Sequence, residues 1–229
     1  MIQGIVIQGP TDYCREVAPI YENIPNVVWS TWEDEPQENI QYIQQYVPVV
    51  LNKKPNFPGY LNINMQTVST VAGIQYLKER GVTEVLKTRG DLKISNVRNM
   101  LALLAGKKAA FMVICKKGSR PDLYYELVYA HYSHDYPDNL CTYGTLENIY
   151  NAFNFTVEDI AYIPPESLIA YHLLVGMGVD FNLDYNHLIN NGVDFYLGDL
   201  IANNIKILWV KRENSDVVEG HSDRQYYQY

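Results

Sequence analysis

Short apolar runs alternate with amphipathic segments along the first half of the chain. Four apolar runs predict strands: Ile2–Gln8, Asn26–Thr31, Val47–Leu51 and Val82–Thr88. Three segments with apolar residues at helical spacing lie between them: Asp12–Tyr21, Pro36–Tyr46 and Met65–Arg80. Gly81 is a typical helix-ending residue at the end of the third segment. This βαβαβαβ order predicts right-handed crossovers and an α/β fold, with a mostly parallel, Rossmann-like sheet flanked by helices.

The second half of the chain is less regular. Strands are predicted over Lys108–Cys115, Tyr124–Tyr132 and Ile205–Val210. Helices are predicted over Asn96–Leu104, Thr145–Phe153 and Glu166–Val175. The tail from Arg212 to Tyr229 is polar. Because the sequence contains no internal repeat and no linker, we expect the 229 residues to form a single domain.

Composition narrows the class of protein. A hydrophobic fraction of 47% and a charged fraction of 19% are typical of a folded globular domain. A net charge of -8 disfavours a nucleic-acid partner, which would call for a basic face. The three cysteines lack Cys-x-x-Cys spacing, and the N-terminus has no basic lead like that of a signal peptide. We therefore expect a cytoplasmic protein without a membrane span, so that any membrane association is peripheral.

Polar segments directly follow the four predicted strands of the first half. They are Gln8-Gly9-Pro10-Thr11, Ser30-Thr31-Trp32-Glu33, Asn52-Lys53-Lys54 and Arg89-Gly90-Asp91. Ligands of open parallel sheets bind beyond the carboxyl ends of the strands, so these segments are the candidate site. The sequence has no Gly-x-Gly-x-x-Gly after the first strand, no P-loop and no Gly-x-Ser-x-Gly. Hydride transfer, P-loop ATP hydrolysis and serine hydrolysis are therefore disfavoured.

Six motifs follow one another between residues 2 and 175. They are Ile5-Val6-Ile7-Gln8-Gly9-Pro10; Ser30-Thr31-Trp32-Glu33; Asn64-Met65-Gln66 with Ser69-Thr70 and Gly73; Leu86-Lys87-Thr88-Arg89-Gly90-Asp91-Leu92; Asp138 with Tyr143-Gly144-Thr145-Leu146-Glu147; and Pro165-Glu166-Ser167-Leu168. In this order they resemble the WavE lipopolysaccharide-synthesis family, and similar domains are carried by some large algal viruses. The resemblance implies a GT-A-like glycosyltransferase that takes a sugar from a nucleotide-sugar donor, with UDP as a candidate nucleotide, and passes it to a glycan acceptor in polysaccharide biosynthesis.

The resemblance divides the chain by role, with a donor-binding half at residues 1–95 and an acceptor half at residues 96–229. The segments Gln8–Thr11 and Ser30–Trp32 are expected around the base and ribose, and the phosphates against Arg89 and Lys87. The full set of expected donor-binding residues is Gln8, Gly9, Pro10, Thr11, Ser30, Thr31, Trp32, Asn64, Gln66, Lys87 and Arg89.

Residues 89–91 occupy the slots of the Asp-x-Asp motif of GT-A enzymes. Asp91 keeps the metal position, so the resemblance implies Mn²⁺ or Mg²⁺, which carboxylate oxygens suit. Arg89 replaces the first acid, and its guanidinium can pair with phosphate itself. This departure leaves the strict need for a metal open. The alternative interpretation is an Arg89–Asp91 surface ion pair at the end of a strand.

Three acids are candidates for the general base that accepts the proton of the acceptor hydroxyl. Glu166 begins the helix after Pro164-Pro165, and Asp135 and Asp138 follow the strand predicted to end at Tyr132. Glu166 can equally be an acid that the dipole favours at a helix start. The resemblance thus implies a glycosyltransferase, and the alternative is a nucleotide-sugar or carbohydrate binding module without turnover.

Overall fold

The computed structural model describes residues 1–94, 97–114, 139–158, 165–179, 206–210 and 216–217. The strands are β1 (Gln3–Gln8), β2 (Val27–Trp32), β3 (Val49–Asn52), β4 (Glu84–Arg89), β5 (Leu92–Lys93), β6 (Ala109–Ile114), β7 (Asn139–Thr145), β8 (Lys206–Val210) and β9 (Asp216–Val217). The helices are α1 (Cys14–Val17), α2 (Gln37–Ile43), α3 (Ile63–Lys78), α4 (Val97–Leu104), α5 (Leu146–Phe153) and α6 (Pro165–Gly176). The α-helices and β-strands predicted within these ranges are confirmed, most of them to within three residues at each end.

Seven strands form one sheet in the order β3-β2-β1-β4-β7-β6-β8. Strand β1 pairs in parallel with both β2 and β4, and β2 pairs in parallel with β3. Strand β7 runs antiparallel between β4 and β6, and β8 is parallel to β6. The α/β class and the mostly parallel sheet are thereby confirmed, and one continuous sheet contains strands from both halves of the chain.

The side chains of each strand alternate between two buried layers. One layer holds Ile5, Ile7 and Trp29 of the sheet, packed with residues of α1, α2 and α4. The other holds Val6 and Val28, packed with residues of α3, α5 and α6. Because both faces of the sheet are covered, the strands read as nearly continuous apolar runs in the sequence.

A topological switch point lies between β1 and β4. The connections from β1 to β2 and from β2 to β3 pass through α1 and α2 on one face, whereas the connection from β3 to β4 passes through α3 on the other. At the carboxyl ends of the two central strands, Gln8 and Arg89 are in register. A crevice for a ligand is expected at this place in an open α/β sheet.

Several elements differ from the prediction, among them α1, the 3₁₀ turn Tyr60–Asn62, and the strands β5, β7 and β9. The segment predicted as one helix from Asp12 to Tyr21 is α1 followed by a 3₁₀ turn, Ala18–Tyr21, because Pro19 has no N–H to continue the α-helical pattern. Strand β7 was not predicted. Gly144 in this strand allows close packing, since a Cβ at Gly144 would lie 2.6 Å from the Lys108 carbonyl oxygen. The strand predicted over Tyr124–Tyr132 lies outside the described residues.

A buried polar network joins the amino end of β4 to β7 and to the turn after α4. The Glu84 side chain is 3% exposed, and its carboxylate accepts hydrogen bonds from the Tyr143 hydroxyl at 2.6 Å and the Gly106 N–H at 3.0 Å. The Gln3 amide donates to the Tyr143 hydroxyl at 2.8 Å. Burial and the bond to Glu84 raise the pKa of Tyr143, so its hydroxyl stays a donor. The network therefore provides a buried carboxylate with hydrogen-bond donors.

Replacement of Tyr143 by Phe is expected to lower the free energy of unfolding by about 1.5–3 kcal/mol, because a buried carboxylate loses a charge-assisted hydrogen bond. Urea denaturation measures this loss. Tyr46→Phe is the matched control, since the Tyr46 hydroxyl donates only to the partly buried Tyr42 hydroxyl at 3.3 Å. Equal losses in the two variants would contradict the assigned role of the Glu84 contact.

Candidate functional site

A cleft of about 490 Å³ opens at the switch point, at the carboxyl edge of β1, β2 and β4. The loops after the first four strands and the first residues of α3 and α6 contribute its lining. The lining residues are Gln8, Gly9, Pro10, Trp32, Glu35, Lys54, Leu61, Asn62, Met65, Gln66, Arg89, Asp91 and Pro165. The structure thus brings together seven of the residues predicted from the sequence: Gln8, Gly9, Pro10, Trp32, Gln66, Arg89 and Asp91.

Two glycines let the loops after β1 and β4 pack against each other. The Gly90 N–H donates to the Gln8 carbonyl at 2.8 Å, and a Cβ at Gly90 would lie 2.7 Å from both the Pro10 carbonyl oxygen and the Trp29 ring. The Trp29 indole N–H donates to the Gly9 carbonyl at 3.3 Å. Gly9 has φ 113°, a conformation that L side chains rarely adopt. The floor of the cleft is therefore built from closely packed backbone around a buried indole.

Gly90→Ala is expected to lower both thermal stability and the affinity of the cleft for its ligand, because neither the Pro10 carbonyl nor the Trp29 ring can move without displacing the loops. Gly81→Ala is the control, since Gly81 has φ 72° and open space around it at the opposite edge of the sheet. The control should lose about 1–2 kcal/mol of stability through its left-handed conformation, with ligand affinity unchanged. Calorimetric titration and thermal melts of both variants measure these effects, and normal ligand affinity in Gly90→Ala would contradict this assignment.

Glu35 is a lining residue that the sequence analysis missed. Its carboxylate accepts hydrogen bonds from the Thr11 N–H at 3.0 Å and from the Thr11 hydroxyl at 2.5 Å. The Asn39 amide also donates to the Thr11 hydroxyl, at 3.2 Å. Thr11 itself is fully buried and does not line the cleft, so it supports Glu35 and does not contact a ligand there. The only sequence signal for Glu35 was the acidic run Glu33-Asp34-Glu35 before Pro36. The sequence does not indicate which of these three carboxylates faces the cleft.

The motif at the end of β2 contributes one side chain to the cleft. Trp32 lines it, whereas Ser30 and Thr31 are fully buried and do not. The Asn52 amide donates to the Ser30 hydroxyl at 2.9 Å and to the Thr31 carbonyl at 2.8 Å, and so ties β3 to β2. The predicted ligand contacts of Ser30 and Thr31 are thus replaced by structural ones.

The motif at the start of α3 is divided in the same way. Gln66 lines the cleft. Asn64 does not, because its amide donates to the Val157 carbonyl at 2.7 Å and the Phe57 carbonyl at 3.0 Å. Its side-chain oxygen accepts from the Val157 N–H at 2.9 Å. Asn64 therefore connects the wall of the cleft to the segment after α5.

Lys87 and Arg89 are on the same face of β4, and Lys87 is the more deeply buried of the two. It is 1% exposed, its ammonium nitrogen lies 5.4 Å from the centre of the Phe153 ring, and it does not line the cleft. The predicted phosphate contact of Lys87 therefore finds no support in the geometry of the cleft.

Two ion pairs stand at the cleft. The Arg89 Nε–H donates to Asp91 Oδ1 at 2.8 Å, a second guanidinium N–H donates to Asp91 Oδ2, and both side chains are 21% exposed. Lys54 lies 2.7 Å from the Asp34 carboxylate in an exposed pair, and this hydrogen bond lowers the pKa of Asp34. Among the lining residues, Arg89 and Lys54 balance the charges of Asp91 and Glu35, so the lining is electrically neutral.

The side chains at Asp91 do not fit a preformed divalent-metal site. Both of its carboxylate oxygens accept hydrogen bonds from Arg89. Within the described ranges, no three His, Cys, Asp or Glu side chains come together as metal ligands. Binding of Mn²⁺ or Mg²⁺ by Asp91 stays a prediction from the family resemblance.

The three candidate bases are placed differently. Glu166 is the second residue of α6, directly after Pro165, which lines the cleft. Asp135 and Asp138 lie outside the described residues. In the part of the chain that the structure describes, no helix is long and apolar enough to cross a membrane.

Comparison with known proteins finds only distant similarity. No family model and no curated protein matches the sequence, so the resemblance to the WavE family stays a prediction. A cytidylyltransferase from Leptospira borgpetersenii is 12% identical, with a TM-score of 0.41, covering 99% of this chain and 80% of the other. TarS 1–349 from S. aureus is 12% identical, with a TM-score of 0.44, and this chain matches over 91% of its length and 58% of TarS. A nucleoside-diphosphate-sugar pyrophosphorylase from Vibrio cholerae is 12% identical, with a TM-score of 0.43 and 94% of both chains covered.

Proposed function

We propose that the cleft binds a nucleotide-diphosphate sugar and that the protein transfers the sugar to the hydroxyl of a glycan acceptor. One observation carries the proposal: the cleft lies at the switch point, where Gln8 and Arg89 end two adjacent parallel strands in register. Open α/β sheets bind their ligands at this place. The volume of about 490 Å³ falls within the range of small-molecule sites.

The lining has groups suited to each part of such a donor. The Arg89 guanidinium is a bidentate partner for phosphate oxygens. Trp32 is 3% exposed and lines the cleft, where it supplies an apolar contact for a base or for the C–H face of a sugar. Gln8 and Gln66 contribute amides, which hydrogen bond to hydroxyl groups. Gly9 allows the backbone to approach the ligand closely.

The transfer step needs a base and a stabilised leaving group. In the proposed reaction the acceptor oxygen attacks the anomeric carbon, the bond to the diphosphate breaks, and Glu166 accepts the hydroxyl proton. Arg89 stabilises the charge that develops on the leaving diphosphate. Pro165 lines the cleft, so the first turn of α6, in the half of the chain proposed to bind the acceptor, begins beside the proposed donor site.

A panel of nucleotides and nucleotide sugars tests the proposal. Calorimetric titration with UDP, GDP, CDP and ADP, each with EDTA and with Mn²⁺, is expected to identify one nucleoside diphosphate that binds. Its sugar derivatives are then incubated with the protein, and release of the nucleotide is measured with and without glycan acceptors. Binding of none of them under either condition would refute the proposal.

The second candidate is a nucleotide-sugar or carbohydrate binding module without turnover. It is favoured by the engagement of Asp91 with Arg89, which replaces the first acid of the Asp-x-Asp pattern. A module of this kind would bind the ligand in the titration but release no nucleotide in any incubation. The two assays together therefore separate the candidates.

A further inference from the structure

We propose that the cleft recognises the donor diphosphate without a divalent cation, with Arg89 in the place of the metal and Asp91 as the residue that positions Arg89. This inference rests on the proposed function. It assigns Asp91 a role different from that of the Asp-x-Asp pattern.

The first support is the geometry of the Arg89–Asp91 pair. The two side chains form parallel hydrogen bonds, Nε to Oδ1 at 2.8 Å and a terminal nitrogen to Oδ2. Each side chain is 21% exposed, so the pair is partly shielded from water. A divalent ion at Asp91 would displace at least one of these charge-assisted bonds and stand beside a guanidinium of the same sign. Both effects oppose metal binding at this carboxylate.

The second support is the rigidity of the backbone that carries the pair. Gly90 packs against the Pro10 carbonyl and the Trp29 ring, and its N–H donates to the Gln8 carbonyl. On the other side of Asp91, Leu92 is 1% exposed and begins β5. Because both neighbours are packed, Asp91 cannot leave Arg89 through a movement of this turn alone.

The third support is the orientation of the guanidinium. The Asp91 carboxylate holds the planar fork of Arg89, which lines the cleft. A fixed fork lowers the entropic cost of a bidentate phosphate contact.

The experiment is a calorimetric titration with the nucleoside diphosphate identified by the panel, in EDTA and in Mn²⁺. The wild-type protein is expected to bind with the same affinity under both conditions, within about threefold. Arg89→Met should lose about tenfold or more under both conditions, as expected for a hydrogen bond to a charged group. Asp91→Asn should still bind in EDTA, because the amide oxygen can accept from Arg89.

Three other results would count against these proposals. Wild-type binding that requires Mn²⁺, together with loss of the Mn²⁺ effect in Asp91→Asn, would overturn the inference and leave the proposed function standing. Absence of any nucleotide binding under both conditions would refute the proposed function itself. Arg89→Lys covers the case in which Arg89→Met does not fold: it keeps the charge and loses the fork, and unchanged affinity in EDTA would overturn the assigned role of Arg89.

Discussion

Arg89→Met is expected to lower kcat/KM for sugar transfer by about 10²–10³, the usual loss when one preorganised donor to a developing anion is removed. Arg89 ends β4 at the switch point, lines the cleft, and is held by Asp91. Its guanidinium would meet the diphosphate as the bond to the sugar breaks, so its loss should affect the transition state more than the bound donor. Steady-state kinetics with varied donor concentration measure the effect.

Arg80→Met is the matched control for this variant. It makes the same change of charge and size at the end of α3, where Arg80 is exposed at the opposite edge of the sheet with its guanidinium carbon 3.4 Å from the centre of the Tyr76 ring. Transfer by this control should be normal. If the two variants lost the same activity, net charge and not the position of Arg89 would explain the result.

Strands β1, β2 and β3 could be predicted from the sequence because each contains an apolar run followed by a polar segment, and β4 could be predicted because it follows the helix-ending Gly81. Strand β7 could not, since its sequence, Asn139–Thr145, mixes polar residues with a glycine. It is an interior strand of the sheet, paired with β4 on one side and β6 on the other. That pairing is non-local, and no local pattern encodes it.

The sequence indicated the position of the cleft more closely than the side chains that line it. The ends of the strands lie at one edge of the sheet whatever their side chains do, so the segments containing Gln8, Trp32 and Arg89 all contribute to the lining. Whether a side chain of such a segment reaches the cleft depends on which face of the strand it is on and on how deeply it is buried. Thr31 and Lys87 do not reach the cleft for these reasons. Leu61 does line the cleft, and its backbone has φ 49°, a conformation that the sequence does not indicate.

Glu166→Gln is expected to lower the rate of transfer by roughly 10²–10⁴ while donor affinity stays the same. Glu166 is the second residue of α6 and follows directly on Pro165, which lines the cleft. Glutamine keeps the size and the hydrogen-bonding capacity of glutamate but cannot accept the proton of the acceptor hydroxyl. The substitution therefore isolates proton transfer from positioning, and separate measurements of donor binding and single-turnover transfer distinguish the two.

Glu147→Gln is the matched control, because Glu147 is likewise the second residue of a helix, α5. Its helix begins after Thr145, which pairs with Glu84 at the edge of the sheet opposite the cleft. Both substitutions remove an acid from the positive end of a helix, which costs about 0.3–1 kcal/mol of stability. Only the Glu166 variant should also lose transfer. If it transfers sugar at the normal rate and only melts earlier, as the control does, Glu166 is a helix-start residue, and Asp135 and Asp138 are the acids to replace next.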